Sequence, residues 1–560
     1  MDDVDAVQGQ IARNMLHSGD WVSAQLDGVK YLEKSPLKYW MMAVSMAIFG
    51  EHDWAARLPI AFSTILLCWL VTRMAGWAMG PKTGFYAGLS LTTCLGLWLF
   101  TRILIPDVVL TLAIAFTLWA FFRAIEPDEA HASRWALAAW AGIGVGMLLK
   151  GLIAAVFPLG AAFFYLLFSG LWKKRAAWSR LRILPGIGVM LLIAAPWHVL
   201  ATLRNPPYFD FTMHSESGSY RGFFWFYFFN EHILRFLNLR YPRDYDTVPR
   251  SLFWLFHLAW FFPFSAFFFR AAGLRYRQPD RASRMRLLAL CWIGMVMGFF
   301  ALSTTQEYYS MPAYPAFAIL LGSAMAESGE RAWNWCIRSA GAIAAIAFVV
   351  IVGLLVASWG YPTPGDISTA LTRNPGAYTL SLGHMGDLTV RSFAYLRLPL
   401  AIAGLAMLVG AVGTFAFRGR RAALSLAVMM VLFFQAARVA LIAFDPYLGS
   451  YPLAQALNQA PAGGLIVDDP YYEMSGLFFY TNRSALILNG RKNNLEYGSY
   501  APGAPPVFIG DAGFVERWNS PDRWYVASED EKRQHLTDLV GAQALHPVAG
   551  SGGKTVYTNH

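Results

Sequence analysis

Apolar residues in this chain come in unbroken runs of about 18 to 24, the length a helix needs to cross a hydrocarbon core. A soluble α/β enzyme with buried strands is excluded, because such strands rarely exceed about 8 residues. Composition agrees: 56% of the 560 residues are hydrophobic and 14% charged, where a soluble protein carries roughly a quarter. The chain reads as an all-α polytopic membrane protein. Spans are expected near 57–78, 83–100, 107–124, 135–149, 151–170, 183–202, 253–272, 285–303, 309–325, 335–358, 397–416 and 422–444, about twelve by hydropathy.

Lys and Arg collect in alternate short loops: Arg73 and Lys82; Arg123 and Arg134; Lys173 to Arg182; Arg270 to Arg286; Arg331 and Arg338; Arg418 to Arg421. Such loops are cytoplasmic by the positive-inside rule, so the net charge of +10 reports orientation rather than a nucleic-acid partner. The longer segments 1–56, 203–252, 359–396 and the tail after 445 then lie outside. An even number of spans leaves residues 1–56 outside with no anchor before them, so an upstream helix of about 20 apolar residues is expected. Three units follow: a first outer loop (1–56), a transmembrane domain (57–444) and a small outer α/β domain (445–560).

Within the outer segments, Val4, Val7, Ile11, Met15 and Leu16 recur at helical spacing, which predicts an amphipathic helix over 4–16 lying on the membrane surface and stopped by Gly19-Asp20. The tail shows strand-like runs at 464–467, 477–480, 506–509 and 524–526, and a charged helix over 529–540. The aromatic stretches 222–229 and 253–269 read as an interfacial belt. Cys68, Cys94, Cys291 and Cys336 lie in apolar runs without CxxC spacing or His companions, so no metal or disulfide set is evident. A divalent ion, were one needed, has no assigned ligands, and no cofactor is implied.

Polar residues at membrane depth are costly and mark function. The topology puts all of them at one face: Asp3 and Asp5, Tyr31 to Pro36 with Glu33 and Lys34, Arg102 and Asp107, Lys150, Glu231-His232 with Arg235, and Gln306 to Tyr309. Carboxylates beside several cations suit transfer of a group from an anionic donor: a carboxylate takes the acceptor's proton while Lys and Arg hold a departing phosphate. Duller readings compete. Lys34 and Lys150 snorkel at helix ends, Asp107 caps a helix after Pro106, and His232 is a packed surface residue. The rival class is a transporter or lipid flippase, which places ionisable residues at the midplane on broken helices. No repeat between halves is visible here, and the acids sit at helix ends.

The ordered set Asp3-Val4-Asp5, Ala12-Arg13-Asn14-Met15-Leu16, Gly19-Asp20-Trp21, Tyr31-Leu32-Glu33-Lys34-Ser35-Pro36, Ala56-Arg57-Leu58-Pro59, Asp107, Leu149-Lys150-Gly151, Ala195-Pro196-Trp197, Glu231-His232 and Tyr309-Ser310-Met311-Pro312 resembles the bacterial GT-C glycosyltransferases. The closest group is the lipid A aminoarabinose transferase (ArnT) and protein O-mannosyltransferase (PMT) superfamily. The resemblance implies an inverting hexosyl- or pentosyltransferase that takes a sugar from a polyprenyl phosphate. It would work at the periplasmic face of the bacterial inner membrane, on a lipid A-like lipid or another periplasmic acceptor. It implies Asp107 and an aspartate of the first loop, Asp3 or Asp5, as catalytic carboxylates. Lys34, Lys150 and Tyr309 would bind the donor phosphate, and Glu33, Tyr31, Arg57, Arg102 and His232 would line the site. The family's adjacent Asp-Glu pair is Asp-Val-Asp here, and counting back from Ala12 sets Asp5 opposite the Glu and Val4 opposite the Asp. The lysine that often precedes the family tyrosine is replaced within Thr304-Thr305-Gln306-Glu307-Tyr308, implying altered donor or acceptor contacts.

Overall fold

A computed structural model describes residues 1–214, 216–242, 247–372 and 382–560. Among them, eight helices are long and apolar enough to cross a membrane, including α3 (Asp53–Met79), α6 (Asp107–Ile125), α7 (Ala132–Lys150) and the paired Arg397–Ala416 and Arg420–Leu448. The protein is a multi-pass membrane protein. Four expected spans take other forms. Residues 253–272 form a pair of helices bent by 114°, and 83–100 breaks at Thr93-Cys94 into α4 (Pro81–Thr92) and α5 (Leu95–Phe100). The α8 helix (Ile153–Phe168) has 16 residues, and residues 309–325 are a 3₁₀ turn followed by the 14-residue helix Tyr314–Glu327. Hydropathy counts residues, and these breaks fall at polar or Pro positions inside otherwise apolar runs.

The first helix, α1, runs Asp3–Ser18; Asp2 caps it, accepting the Asp5 amide at 2.8 Å, and Gly19 ends it in the left-handed region. Its stripe of Val7, Ile11 and Met15 is buried against Leu453, Leu477, Tyr471 and Phe478 of the C-terminal unit, not turned to lipid. Val4 alone of that stripe is exposed. Surface amphipathicity and burial against a second unit share one periodicity, which is why the sequence does not separate them. A hairpin follows, β1 (Gln25–Leu26) and β2 (Val29–Lys30), turning through Asp27-Gly28 with both φ positive, as a two-residue Asp-Gly turn requires. Then comes α2 (Leu37–Phe49).

The C-terminal unit is a six-stranded sheet of order β5-β4-β3-β6-β8-β7. Its strands β3 (Gly464–Asp468), β4 (Leu486–Leu488), β5 (Phe508–Ile509) and β6 (Trp524–Glu529) are parallel, and β7 (His546–Ser551) and β8 (Lys554–Thr558) close one edge antiparallel. Residues 477–480 are not a strand but part of the helix Ser475–Thr481, ended by Asn482 at φ 53°. Leu477, Phe478 and Phe479 are all buried, and an apolar run without alternation does not distinguish helix from strand. The aromatic stretch 222–229 also differs from a belt. Phe223, Trp225, Phe226 and Tyr227 are each 1% exposed and form a core with Trp197 and Tyr497. Trp254 and Phe269 do face outward.

Candidate active site

Helix α6 starts at Asp107 because Pro106 precedes it, and a carboxylate in the first turn suits the positive end of the helix. Helix α7 ends at Lys150 because Gly151 takes φ +66°, and a cation suits that end. The two helices pack antiparallel, so the ends meet: Lys150 Nζ donates to Asp107 Oδ1 at 2.6 Å, and Asp107 Oδ2 is buried without a hydrogen-bond partner. Gly151 is required twice over, since a Cβ there would lie 2.2 Å from His232 Nε2.

His232 comes from a π-helical segment, Trp225–Leu234, a wide turn often found at functional sites. Its Nδ1 is 2.6 Å from the Tyr227 carbonyl, while Nε2 accepts the Leu152 amide at 3.1 Å. That pairing puts the proton on Nδ1 and keeps the ring neutral. Burial holds its pKa below the usual range. One turn on, Arg235 donates to Glu231 at 2.7 Å and to the Tyr309 hydroxyl at 2.9 Å. The ammonium of Lys150 lies 5.0 Å from the Tyr309 ring and 5.6 Å from that of Tyr308.

Opposite stands the first loop. Glu33 is buried, contacts Lys34, accepts from the Tyr31 hydroxyl at 3.0 Å, and lies 3.7 Å from both Arg235 and Arg240. Burial pushes its carboxyl up, but Lys34, Arg240 and Arg235 outweigh it and hold the group well below the ordinary range. Four cations (Lys34, Lys150, Arg235, Arg240) thus face three carboxylates (Glu33, Asp107, Glu231). All of them but Arg240, which stands behind Glu231 and Glu33, line a cavity of about 360 Å³ whose other walls are apolar, among them Ile153, Val156, Ile233, Leu237 and Phe299. Val156, Ile233 and Leu237 are also exposed on the outer surface, so the apolar side opens outward.

The structure therefore brings Glu33, Lys34, Asp107, Lys150, His232 and Tyr309 to one cavity. Tyr31 stands behind Glu33. Asp5 and Arg57 form an ion pair just outside, where Asp5 Oδ1 accepts the Leu104 amide at 2.6 Å and Arg57 contacts the Arg102 carbonyl. Together they fix the turn that delivers Asp107. Asp3 is placed elsewhere: its carboxylate is taken up by Lys554 at 2.7 Å, Ser450 at 2.9 Å and the Gly476 amide at 2.5 Å. Arg102 lies over the Trp98 ring at 5.3 Å, outside the cavity.

Two contributors carry no signal of their own in the sequence. Arg240 is 3% exposed and pairs with Glu231 from a segment without periodicity. Lys38, also buried, donates to the Leu104 carbonyl at 3.0 Å and contacts Gln8. It holds the same turn as Asp5, yet reads as one more basic residue beside Tyr39.

Comparison with known proteins agrees with this architecture. A family model described as dolichyl-phosphate-mannose-protein mannosyltransferase matches residues 33–199, the stretch that holds Glu33, Lys34, Asp107 and Lys150. The chain is 29% identical over 357 residues to an undecaprenyl phosphate-alpha-4-amino-4-deoxy-L-arabinose arabinosyl transferase of Pseudomonas fluorescens, covering 62% of this chain and 58% of the relative. A counterpart from Pseudomonas paraeruginosa is 29% identical over 61% of this chain and 60% of its own. The chain thus aligns with less than two thirds of the length of these curated relatives. The crystal structure of ArnT from Cupriavidus metallidurans bound to undecaprenyl phosphate superposes with a TM-score of 0.78 at 21% identity, over 99% of this chain and 93% of that one. This chain therefore shares the GT-C fold of that ArnT structure, with a small C-terminal sheet unit.

Proposed function

We propose that the protein is an inverting glycosyltransferase that moves a sugar from a polyprenyl phosphate to a lipid A-like or other periplasmic acceptor at the outer face of the bacterial inner membrane. The observation that carries this reading is the cavity itself. Its cluster of Lys34, Lys150 and Arg235, which carries the donors a phosphate needs, sits beside apolar walls that open outward, and this combination suits a phosphate joined to an isoprenoid chain. The names of the relatives, which use undecaprenyl phosphate-linked aminoarabinose, support the same donor class.

In this reading the donor phosphate lies among Lys34, Arg235 and the Tyr309 hydroxyl. The acceptor oxygen attacks the anomeric carbon from the face opposite the phosphate, its proton passes to Asp107, and the bond to phosphate breaks. Lys150 orients Asp107 through the hydrogen bond to its Oδ1. Polyprenyl phosphate leaves with the bond's electron pair, stabilised by the cations. Asp5 and Lys38 act as positioning residues through the turn at Leu104. Asp3 ties α1 to the C-terminal unit.

The test is release of free polyprenyl phosphate by the purified protein, given a panel of polyprenyl-phosphate sugars and a native lipid extract. Release that depends on one sugar and vanishes in Asp107→Asn is expected. Full release by Asp107→Asn would reject the assignment of the base, and no release with any donor would reject the transferase reading.

A further inference from the structure

The turn that delivers Asp107 has a second end, and the charges there are not matched. Arg102 half emerges from the fold, its guanidinium over Trp98. Trp98 stacks face to face on Phe434, with ring centroids 5.1 Å apart and planes at 4°. Phe434 lies on the helix Arg420–Leu448, and Arg438 stands one turn above it on the same face. Arg438 is exposed, with Val431 and Ile442 outward on that face as well. Burial first, and then the charges of Arg57 and Arg438, hold the Arg102 pKa below its ordinary value.

Neither guanidinium has a carboxylate within 4 Å or a hydrogen-bond acceptor among the described residues. The acids nearest Arg102 are committed elsewhere. Asp5 is held by Arg57 and the Leu104 amide, and Asp2 caps the first turn of α1. The third arginine of the group, Arg57, is the one spent on Asp5. Arg438 lies about 27 Å along its helix from the basic start at Arg420. That depth is the far boundary of a hydrocarbon core roughly 30 Å thick, at the same end of the bundle as Asp107. Basic loop residues gather at the other side, so an arginine at this boundary runs against the loop bias. Two neighbouring guanidiniums with no carboxylate beside them repel each other, and an anion between them removes that repulsion.

We propose that Arg102 and Arg438 form an anion subsite for a phosphate on the headgroup of the acceptor lipid. Two forked donors at headgroup level, flanked by lipid-facing side chains, match a lipid phosphate. The site is outside the donor cavity, at the other end of the turn that carries Asp107, five residues away and no more than about 17 Å along the chain. A phosphorylated glycolipid held there presents its headgroup toward Asp107 without competing for the cations around the donor. This assignment rests on the transferase reading for its purpose, but it is a statement about binding and is tested as such.

The experiment is native mass spectrometry of the full chain in detergent. The probes are a phosphorylated lipid A-type disaccharide, its dephosphorylated form, and phosphatidylglycerol as competitor. The wild type is expected to retain the phosphorylated glycolipid at least tenfold better than the dephosphorylated one. Arg438→Gln, which alters an exposed side chain and leaves the packing intact, should lose most of that preference, and Arg438→Lys should keep part of it. Arg102→Gln should act in the same direction, provided its unfolding temperature matches the wild type. Equal retention of both glycolipids, or an unchanged preference in Arg438→Gln, would overturn the proposal. Displacement by an equal amount of phosphatidylglycerol would also overturn it, by reducing the pair to a general headgroup contact. Because none of these readouts needs turnover, a failed polyprenyl-phosphate release assay would sink the transferase reading and leave this result readable.

Discussion

Helix α6 carries a buried carboxylate at each end, about 28 Å apart, and the two live in opposite circumstances. Asp107 is 1% exposed and Glu126 is 2% exposed. Glu126 is saturated: Arg284 donates to both of its oxygens at 3.0 and 2.7 Å, and Arg281 adds a contact at 3.2 Å. Trp77 receives Arg281 and Arg123 on its ring, closing the group. Asp107 has one lysine, one oxygen without a partner, and a cavity in front of it. Burial of a charge alone therefore does not mark chemistry. What separates the two ends is whether hydrogen-bonding capacity is left over and whether space adjoins it.

Replacing each carboxylate should split the contrast in opposite directions. Asp107→Asn keeps the shape and is expected to lower transfer by roughly a thousandfold, with the unfolding temperature nearly unchanged. A loss under tenfold would place the proton elsewhere. Glu126→Ala should do the reverse. It leaves two guanidiniums without their shared partner, a cost on the order of 2 kcal/mol given that both are about a quarter exposed. Thermal unfolding in detergent should fall by several degrees while activity per folded molecule holds, and lost activity at full stability would dissolve the distinction.

A smaller effect sharpens the Asp107 end. Tyr309→Phe removes the hydroxyl that Arg235 reaches at 2.9 Å but leaves the ring beside Lys150. At about 1 kcal/mol for one such bond, the donor KM should rise about fivefold with kcat little changed. A fall in kcat alone would move Tyr309 from donor binding to the chemical step.

The smallest effect is in pH. Burial first, and then Asp2, push the Asp5 carboxyl up to about 6, against Arg57 and the Leu104 amide. A carboxyl raised on folding contributes its stabilisation in full below about pH 4 and loses it as pH climbs through the folded value. The stability of the wild type relative to Asp5→Asn should thus decline between about pH 4 and 6, read as the difference between two unfolding profiles. Parallel profiles would show that Asp5 does not titrate apart from its surroundings.

Much of this contrast is legible in the sequence, and the reason is topological. Once apolar runs fix which loops share a face, Glu33, Lys34, Asp107, Lys150, His232 and Tyr309 must be neighbours at that face. What stays hidden is contact that no spacing encodes. Arg240 is buried against Glu231 from an irregular segment, and Asp3 meets Lys554, 551 positions further along the chain. Nothing local separates Asp3 from Asp5, two residues apart on one helix. The fold does so by turning one toward the C-terminal sheet and the other toward the Leu104 turn. Strand β7 escapes the pattern for a different reason, since His546–Ser551 is largely exposed and shows no alternation.

The tie between Asp3 and Lys554 also bears on when the protein becomes competent. A ribosome makes the first turn of α1 long before the strand bearing Lys554, 551 positions further on, so a very long loop must close before that turn is pinned. Because the same turn carries Asp5, the support for the Leu104 segment arrives late in biogenesis. The membrane helices can insert and pair well before then. The order of synthesis thus delays that support until β8 is made, and β8 acts as the latch on α1.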